Sequence, residues 1–328
     1  MKKLFLAASI FLAIFLMSPL EALALEPVLY FSDIESGPAT GLGDGKGSGA
    51  IVTVWGANLG SSQGSSTISV GGVPAAYVYY WGNADTTGAS GPADLYTYHK
   101  MQTISFSVPA TAAYGANTIS VTVNGTQTNT LPFTVRAGNI YHVKTTGSDS
   151  GDGSWGKPWR SLAYVGTGAG GAITPGDTIY VGDGVTAIGS TAGFAIKYIK
   201  ATKANPISVI AYPGAYVLAQ GGHAISNWNH DSSYWNISKL VAKTTSVGID
   251  AFKGGRFVAN EITNAPGECA DGQGGAITGN NYVAPYSPDK DMVGGGIKVF
   301  GNYIHDFGCD STSKLHHVFY ISQRGGYP

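Results

Sequence analysis

The sequence predicts an all-β protein in two parts, a sandwich of short alternating strands followed by a stack of short-strand coils. Three observations point there. Glycine (48 residues) and tyrosine (19) are heavily used over 328 residues while charge is only 12%, a composition that favours a turn-rich β chain over a helical or disordered one. The N-terminal third alternates with period two, Ile51, Thr53 and Trp55 against Val52 and Val54, and again at Ile119, Val121 and Val123. The C-terminal half repeats one short pattern, GGRFVANEITNAPG from Gly254 to Gly267 and GGIKVFGNYIHDFG from Gly295 to Gly308.

The chain begins with Lys2 and Lys3, an apolar run from Leu4 to Met17 and a small-residue site at Ala22-Leu23-Ala24. Residues 1–24 therefore read as a secretory signal, with the mature chain starting near Leu25 and an extracellular, cell-surface or periplasmic destination expected. No later apolar run is long enough to span a bilayer. With 19 basic and 20 acidic residues the formal charge is −1, so no global field recruits nucleic acid or an anionic membrane. A monomer is expected.

Residues 27–136 carry the strands AIVTVWGANLG, STISVGGVPAAYVYY, MQTISFSVP and NTISVTVNGTQTNTLPFTV, broken by Gly, Ser and Asn. Short strands at this spacing predict a sandwich. Within them Gly56-Ala57-Asn58-Leu59-Gly60, the Val70-Gly71-Gly72-Val73 turn, and Val123-Asn124-Gly125 with Phe133-Thr134-Val135 resemble an IPT/TIG domain, an immunoglobulin-like fold. The resemblance covers nearly the whole segment and implies a spacer or glycan-proximal module. His99 and Lys100 read as solvated, and Trp81, Tyr96 and Tyr98 as aromatics packed over one edge of the sandwich, with sugar stacking as the alternative.

Arg136-Ala137-Gly138-Asn139 reads as a short linker into residues 140–328. There IYHVKTTGSDSGDGSWGKPWRSLAYV and ITPGDTIYVGDG look like the entry of many secreted coil-stack proteins, where a strand, an Asp/Gly/Ser loop and a short helix plug the open end and protect its strand edges. Asp149 and Asp152 suggest a calcium loop but lack its alternating ligands and distal Glu, so a turn is expected; Asp177 after Pro175-Gly176 reads the same way. No cofactor is secured by the sequence, and calcium is the one candidate.

Strands of three to five residues bury no face alone but can do so jointly when coils stack. In both repeat copies an apolar strand reaches an Asn (Asn260, Asn302) followed two residues later by Ile262 or Ile304. Asn suits the turn because it tolerates the left-handed region and can bond to the same amide one coil away. Cys269 and Cys309 fall nine and seven residues after those Asn, so they follow the same strand of successive coils and are expected to form a disulfide, two free thiols being the alternative. The pattern resembles a right-handed parallel β-helix of the pectate-lyase-like superfamily. The chain stops at Pro328 directly after a strand, with no capping segment, which leads to the expectation of an incomplete stack.

That resemblance implies an extracellular polysaccharide lying in a groove on one long sheet, whose strands are Ile249 to Phe252, Gly275 to Thr278 and His317 to Ile321. Around it fall Asp250, Asp271, Asp310, Lys314 and His316, with Tyr282 and Tyr286 on one wall, as binding residues. A lyase needs a base for the proton beside a uronate carboxylate and a cation for the developing charge. His317 is the candidate base, Tyr320 the proton donor, and Lys253 or Arg324 the cation. A hydrolase using Asp250, Asp271 and Asp310 is the second reading, and a non-catalytic glycan-binding surface protein the third.

Overall fold

In the computed structural model, residues 25–86, 88–227, 232–250, 253–268, 275–281, 296–308 and 317–323 are described. The protein is all-β apart from one short α-helix and two 3-10 turns among those residues. The N-terminal strands are β1 (Val28–Ser32), β2 (Ser36–Gly37), β3 (Ile51–Ala57), β4 (Thr67–Val70), β5 (Val73–Pro74), β6 (Tyr77–Asn83), β7 (Gln102–Ser107), β8 (Gly115–Val123), β9 (Thr126–Gln127) and β10 (Leu131–Val135). One sheet runs β1-β3-β7-β6; the other runs β2-β10-β8-β4-β5 with β9 on β8. Val52, Val54, Ile104 and Phe106 from the first face Ile68, Ile119, Val121 and Phe133 of the second in one core.

The rest of the chain winds in coils. Its strands are β11 (Ile140–Val143), β12 (Thr178–Val181), β13 (Thr186–Ile188), β14 (Ala192–Ala195), β15 (Ile207–Ala211), β16 (Leu218–Ser226), β17 (Trp235–Ser238), β18 (Val241–Asp250), β19 (Arg256–Val258), β20 (Glu261–Asn264), β21 (Gly275–Asn281), β22 (Lys298–Phe300), β23 (Tyr303–Ile304) and β24 (His317–Gln323). Every pairing among them is parallel. The first ladder is β11-β12-β15-β17-β19-β22. Strands β16 and β18 bend at an irregularity between Gly221 and His223, so their first halves pair with β13 and β20 and their second halves with β14 and β21. Each coil thereby presents three faces. The third ladder, β14-β16-β18-β21-β24, contains the three strands that the sequence assigned to one sheet.

Register explains the interior. Ile179, Val209, Ile237 and Phe257 stand on one row of the first ladder, Ala219, Ala242 and Ile262 on the second, and Phe194, Ile225, Ile249 and Ile277 on the third, all in one core. Burying each large aliphatic or aromatic side chain is worth about 1.5–3 kcal/mol. At the entry, helix α1 (Leu162–Gly166) is capped by Ser161, whose hydroxyl accepts from Tyr164 N. Asp149 accepts from Arg160 N, Ser161 N and Ser161 Oγ, so its oxygens are spent on the turn. Asp152 accepts from Ser154 N, so both carboxylates take part in the turn.

Asn260 Nδ2 donates to Asn302 Oδ1 at 2.9 Å, and Asn260 Oδ1 accepts from Leu240 N, so the amides stack as expected. The left-handed residue is the one before each Asn: Ala259 and Gly301 have φ of 54° and 56°, and Lys239, before Leu240 in the preceding coil, has 62°. Asn serves here as a bridge between coils, and the turn geometry falls to its neighbour.

The two parts share a dry junction. Outward residues of the first coil ladder, among them Thr178, Tyr180, Ser208, Ile210, Asn236, Ser238 and Val258, are buried. Strand β3 lies over them along the stack axis. Ile51 exchanges both backbone bonds with the Tyr180 hydroxyl, Thr53 Oγ1 accepts from Lys239 Nζ at 2.9 Å, and Trp55 packs on Val258 and Ala259. Its rise of ~13 Å from Ile51 to Trp55 matches ~14 Å for three steps between coil strands. Lys239 also faces Asp33 at 3.9 Å. Burial pushes the Asp33 carboxyl up and the Lys239 ammonium down, while their mutual attraction opposes both shifts. Arg256 donates to Asp33 O, Ser32 O and Glu35. Arg136, in the stretch read as a linker, is buried and donates to Ser36 Oγ, Gly176 O and Pro206 O; it is a fastener between the parts.

Candidate functional site

With the first ladder covered, the third ladder carries the polar chemistry. Its registers align Ala195, Ser226, Asp250, Thr278 and Tyr320 in a row across five coils. The local reason is a repeated triplet, small–Ile–polar, in Ala224-Ile225-Ser226, Gly248-Ile249-Asp250 and Ala276-Ile277-Thr278. Alternation along a strand sends each Ile into the core and each polar residue the other way. Gly248 is required: a Cβ there would stand 2.4 Å from both Ala276 O and Ile262 Cγ2.

Asp250 is the hub. Its Oδ2 accepts from His223 Nδ1 at 2.8 Å and Ser226 Oγ at 3.0 Å, and its Oδ1 accepts from Thr278 Oγ1 at 3.0 Å. The three donors come from β16 and β21, on either side of it. The side chains of His223 and Asp250 keep 20% and 15% of their exposure, enough for a ligand to reach. Burial by itself lowers the His223 pKa, but the hydrogen bond and charge of Asp250 outweigh it and hold the imidazole above its usual value. A carboxylate accepting from Nδ1 fixes the tautomer in which that nitrogen carries the proton.

A cavity of about 590 Å³ opens beside this hub, lined by Ser226, Ala195 and Gly193 on the ladder and by Thr167, Ser190, Thr191 and Lys197 around it. Small residues leave room for a chain of rings, hydroxyls supply hydrogen bonds, and Lys197 is the one charged group in that lining. The volume is in the range of small-molecule sites.

Among the residues singled out from sequence, Asp250 and Tyr320 fall on this row, Tyr320 two coils beyond Asp250 and therefore ~10 Å from it. His317 stacks on Tyr320 with ring centroids 5.2 Å apart, a pair separate from the Asp250 hub. Lys253 sits in the turn before β19, its carbonyl accepting from Tyr234 N. Asp271, Asp310, Lys314, His316, Tyr282, Tyr286, Arg324 and the Cys269–Cys309 pair lie outside the described residues. So does the segment 1–24.

Sequence reasoning missed His223, Ser226 and Lys197. The triplet repeat was the available signal, since Ser226 and Asp250 occupy its same position; His223 sits beside a Gly-Gly pair that interrupts the strand pattern. Trp81, read as packed, is buried and donates to Leu59 O, whereas Tyr98 is exposed. Among the described residues no group of three or more His, Cys, Asp or Glu could hold a metal ion, and no helix is long and apolar enough to cross a membrane. Set against known proteins, the chain matches no protein-family model and has no significant match among curated proteins.

Proposed function

We propose that this is an exported carbohydrate-active protein that binds an acidic polysaccharide along its third face and cleaves it by β-elimination. The observation that carries the reading is the Asp250 carboxylate, which holds His223, Ser226 and Thr278 from neighbouring coils at the mouth of the groove containing Lys197. His223 Nε2 takes the proton on the carbon beside a uronate carboxylate. The electron pair left behind forms the carbon–carbon double bond, the bond to the next sugar oxygen breaks, and that oxygen is protonated by the imidazolium or by water. Lys197 neutralises the carboxylate as charge develops. Because Asp250 raises the His223 pKa, the neutral base gains population as pH rises, and activity should increase on the alkaline side.

The same reading takes the coil stack as a right-handed parallel β-helix and the N-terminal sheets as an immunoglobulin-like IPT/TIG module. The parallel registers and the shared interior support the first; the two packed sheets and the Gly56–Gly60 and Val70–Val73 motifs support the second. The signal-like N-terminus supports export.

The test is incubation with uronate polymers while following the ultraviolet absorbance of the unsaturated product. Absorbance that appears with the native protein and disappears in His223→Ala supports the proposal. Reducing ends formed without absorbance indicate hydrolysis instead, and retardation in a glycan gel with neither signal indicates a binding protein.

A further inference from the structure

A second cavity, of about 340 Å³, lies at the junction of the two parts, away from the third face, and is lined by His142, Lys144, Thr146, Trp155, Asp183 and Tyr212 among others. Its walls are tied together by ring contacts and hydrogen bonds. Trp155 packs on Tyr212 at 5.6 Å and edge-on to His142 at 5.0 Å. Tyr212 and Tyr79 both donate to Asp44 Oδ2, while Lys46 N and Gly47 N donate to its Oδ1. Asp44 is thereby fully engaged, and the two phenols are held in place. The Lys144 ammonium rests 3.2 Å from the Trp155 ring centroid and donates to Trp155 O at 3.0 Å. Its direct contacts are thus an aromatic face and a carbonyl; the carboxylate whose charge it feels, Asp44, makes no hydrogen bond to it and is engaged by four other donors.

We infer that this junction cavity is a binding site for a single acidic sugar, with the carboxylate on Lys144, the ring against the Trp155 and Tyr212 walls, and hydroxyls on Thr146 and Asp183. Aromatic walls offer the apolar surface that a pyranose face buries, and short polar side chains suit its hydroxyls. A lone lysine matches one carboxylate, whereas a polyanion would need several cations. A metal is disfavoured because His142 Nε2 is committed to Leu42 O at 2.8 Å. The volume, at the low end for small-molecule sites, suits one or two rings. The inference stands apart from the third-face reading, since it shares no residue with that site.

Calorimetry with glucuronate and galacturonate, set against glucose, tests it, alongside nuclear magnetic resonance of the tryptophan indole signals with Trp155 assigned from Trp155→Phe. The expected result is saturable uronate binding that shifts the Trp155 signal. Binding should fall by about tenfold or more in Lys144→Met, which keeps the stem and removes one charge-assisted bond. It should be unchanged in Lys298→Ala, a half-exposed lysine that lines neither cavity. If Lys144→Met fails to fold, the Trp155 shift in the native protein decides. A Trp155 shift kept in full in Lys144→Met, a Trp155 signal that does not move in the native protein, or equal affinity for glucose would each overturn the inference.

Discussion

His142 should make the protein sensitive to mild acid. The ring lies buried where the two parts meet, donating through Nε2 to Leu42 O and crowded by Trp155 and Tyr180. Burial lowers its pKa from 6.5 to about 4, the bond to Leu42 O and the Asp44 charge opposing the fall and the Lys144 charge adding to it. The sign follows directly. The fold prefers the neutral imidazole, so its contribution is fully present above the unfolded value near 6.5, is lost progressively as pH falls, and levels off below about 4. At about 1.4 kcal/mol per pH unit this is a loss of about 3 kcal/mol. The assay is urea unfolding at several pH values between 7 and 4, for the native protein and for His142→Gln, whose amide can still donate to Leu42 O but does not titrate. The native protein should lose about 3 kcal/mol more than the variant over that interval. Parallel stability curves for the two proteins would refute the argument that desolvation governs this ring.

Four further outcomes are expected. Lys239→Met leaves the Asp33 carboxylate buried without its cation and should cost about 3–5 kcal/mol in urea unfolding; adding Asp33→Asn should recover much of that, and a double variant no better than the single would sink the pairing. Asn260→Ala removes the side-chain partner of Leu240 N and Ile237 O, so a loss of about 2–6 kcal/mol is expected from two buried groups at about 1–3 kcal/mol each, with protection from hydrogen exchange falling first at Leu240. Arg256→Ala strips Asp33 O and Ser32 O of their donor and should cost more than about 3 kcal/mol. Lys298→Ala removes only a half-exposed bond to Glu35 and should stay within about 0.5 kcal/mol; equal losses in these two would contradict the burial argument.

Much of the architecture was legible because it rests on periodicity. The alternation around Ile51 and Ile119 marks strands, and the Ile249, Ile277 and Phe319 positions share a ladder, as the resemblance to a coil stack implied. The Asn260–Asn302 contact was readable from amide chemistry alone. The covered face was not. Thr178, Ser208, Asn236 and Ser238 are small polar residues that look solvent-facing in sequence, yet the N-terminal sheet buries them. Likewise the alternation of Ile51, Thr53 and Trp55 against Val52 and Val54 does not reveal that both sides of β3 are buried. Arg136 looked like linker chemistry because nothing local reveals that its carbonyl partners are 40 and 70 residues away. His223 was hidden for a related reason: its partner Asp250 is 27 residues on, and the strand between Gly221 and Ser226 is broken by glycines that blur its period.

Strand β3 works as a ruler laid across the coils, each second residue touching a later turn of the stack. Tandem duplication, the ordinary way for repeat chains to lengthen, would shift everything downstream by one step against that ruler. Thr53 would no longer meet Lys239, and Trp55 would no longer meet Val258. The span beneath the N-terminal sheet is therefore fixed in length, and variation in turn number should be tolerated only where β3 does not reach.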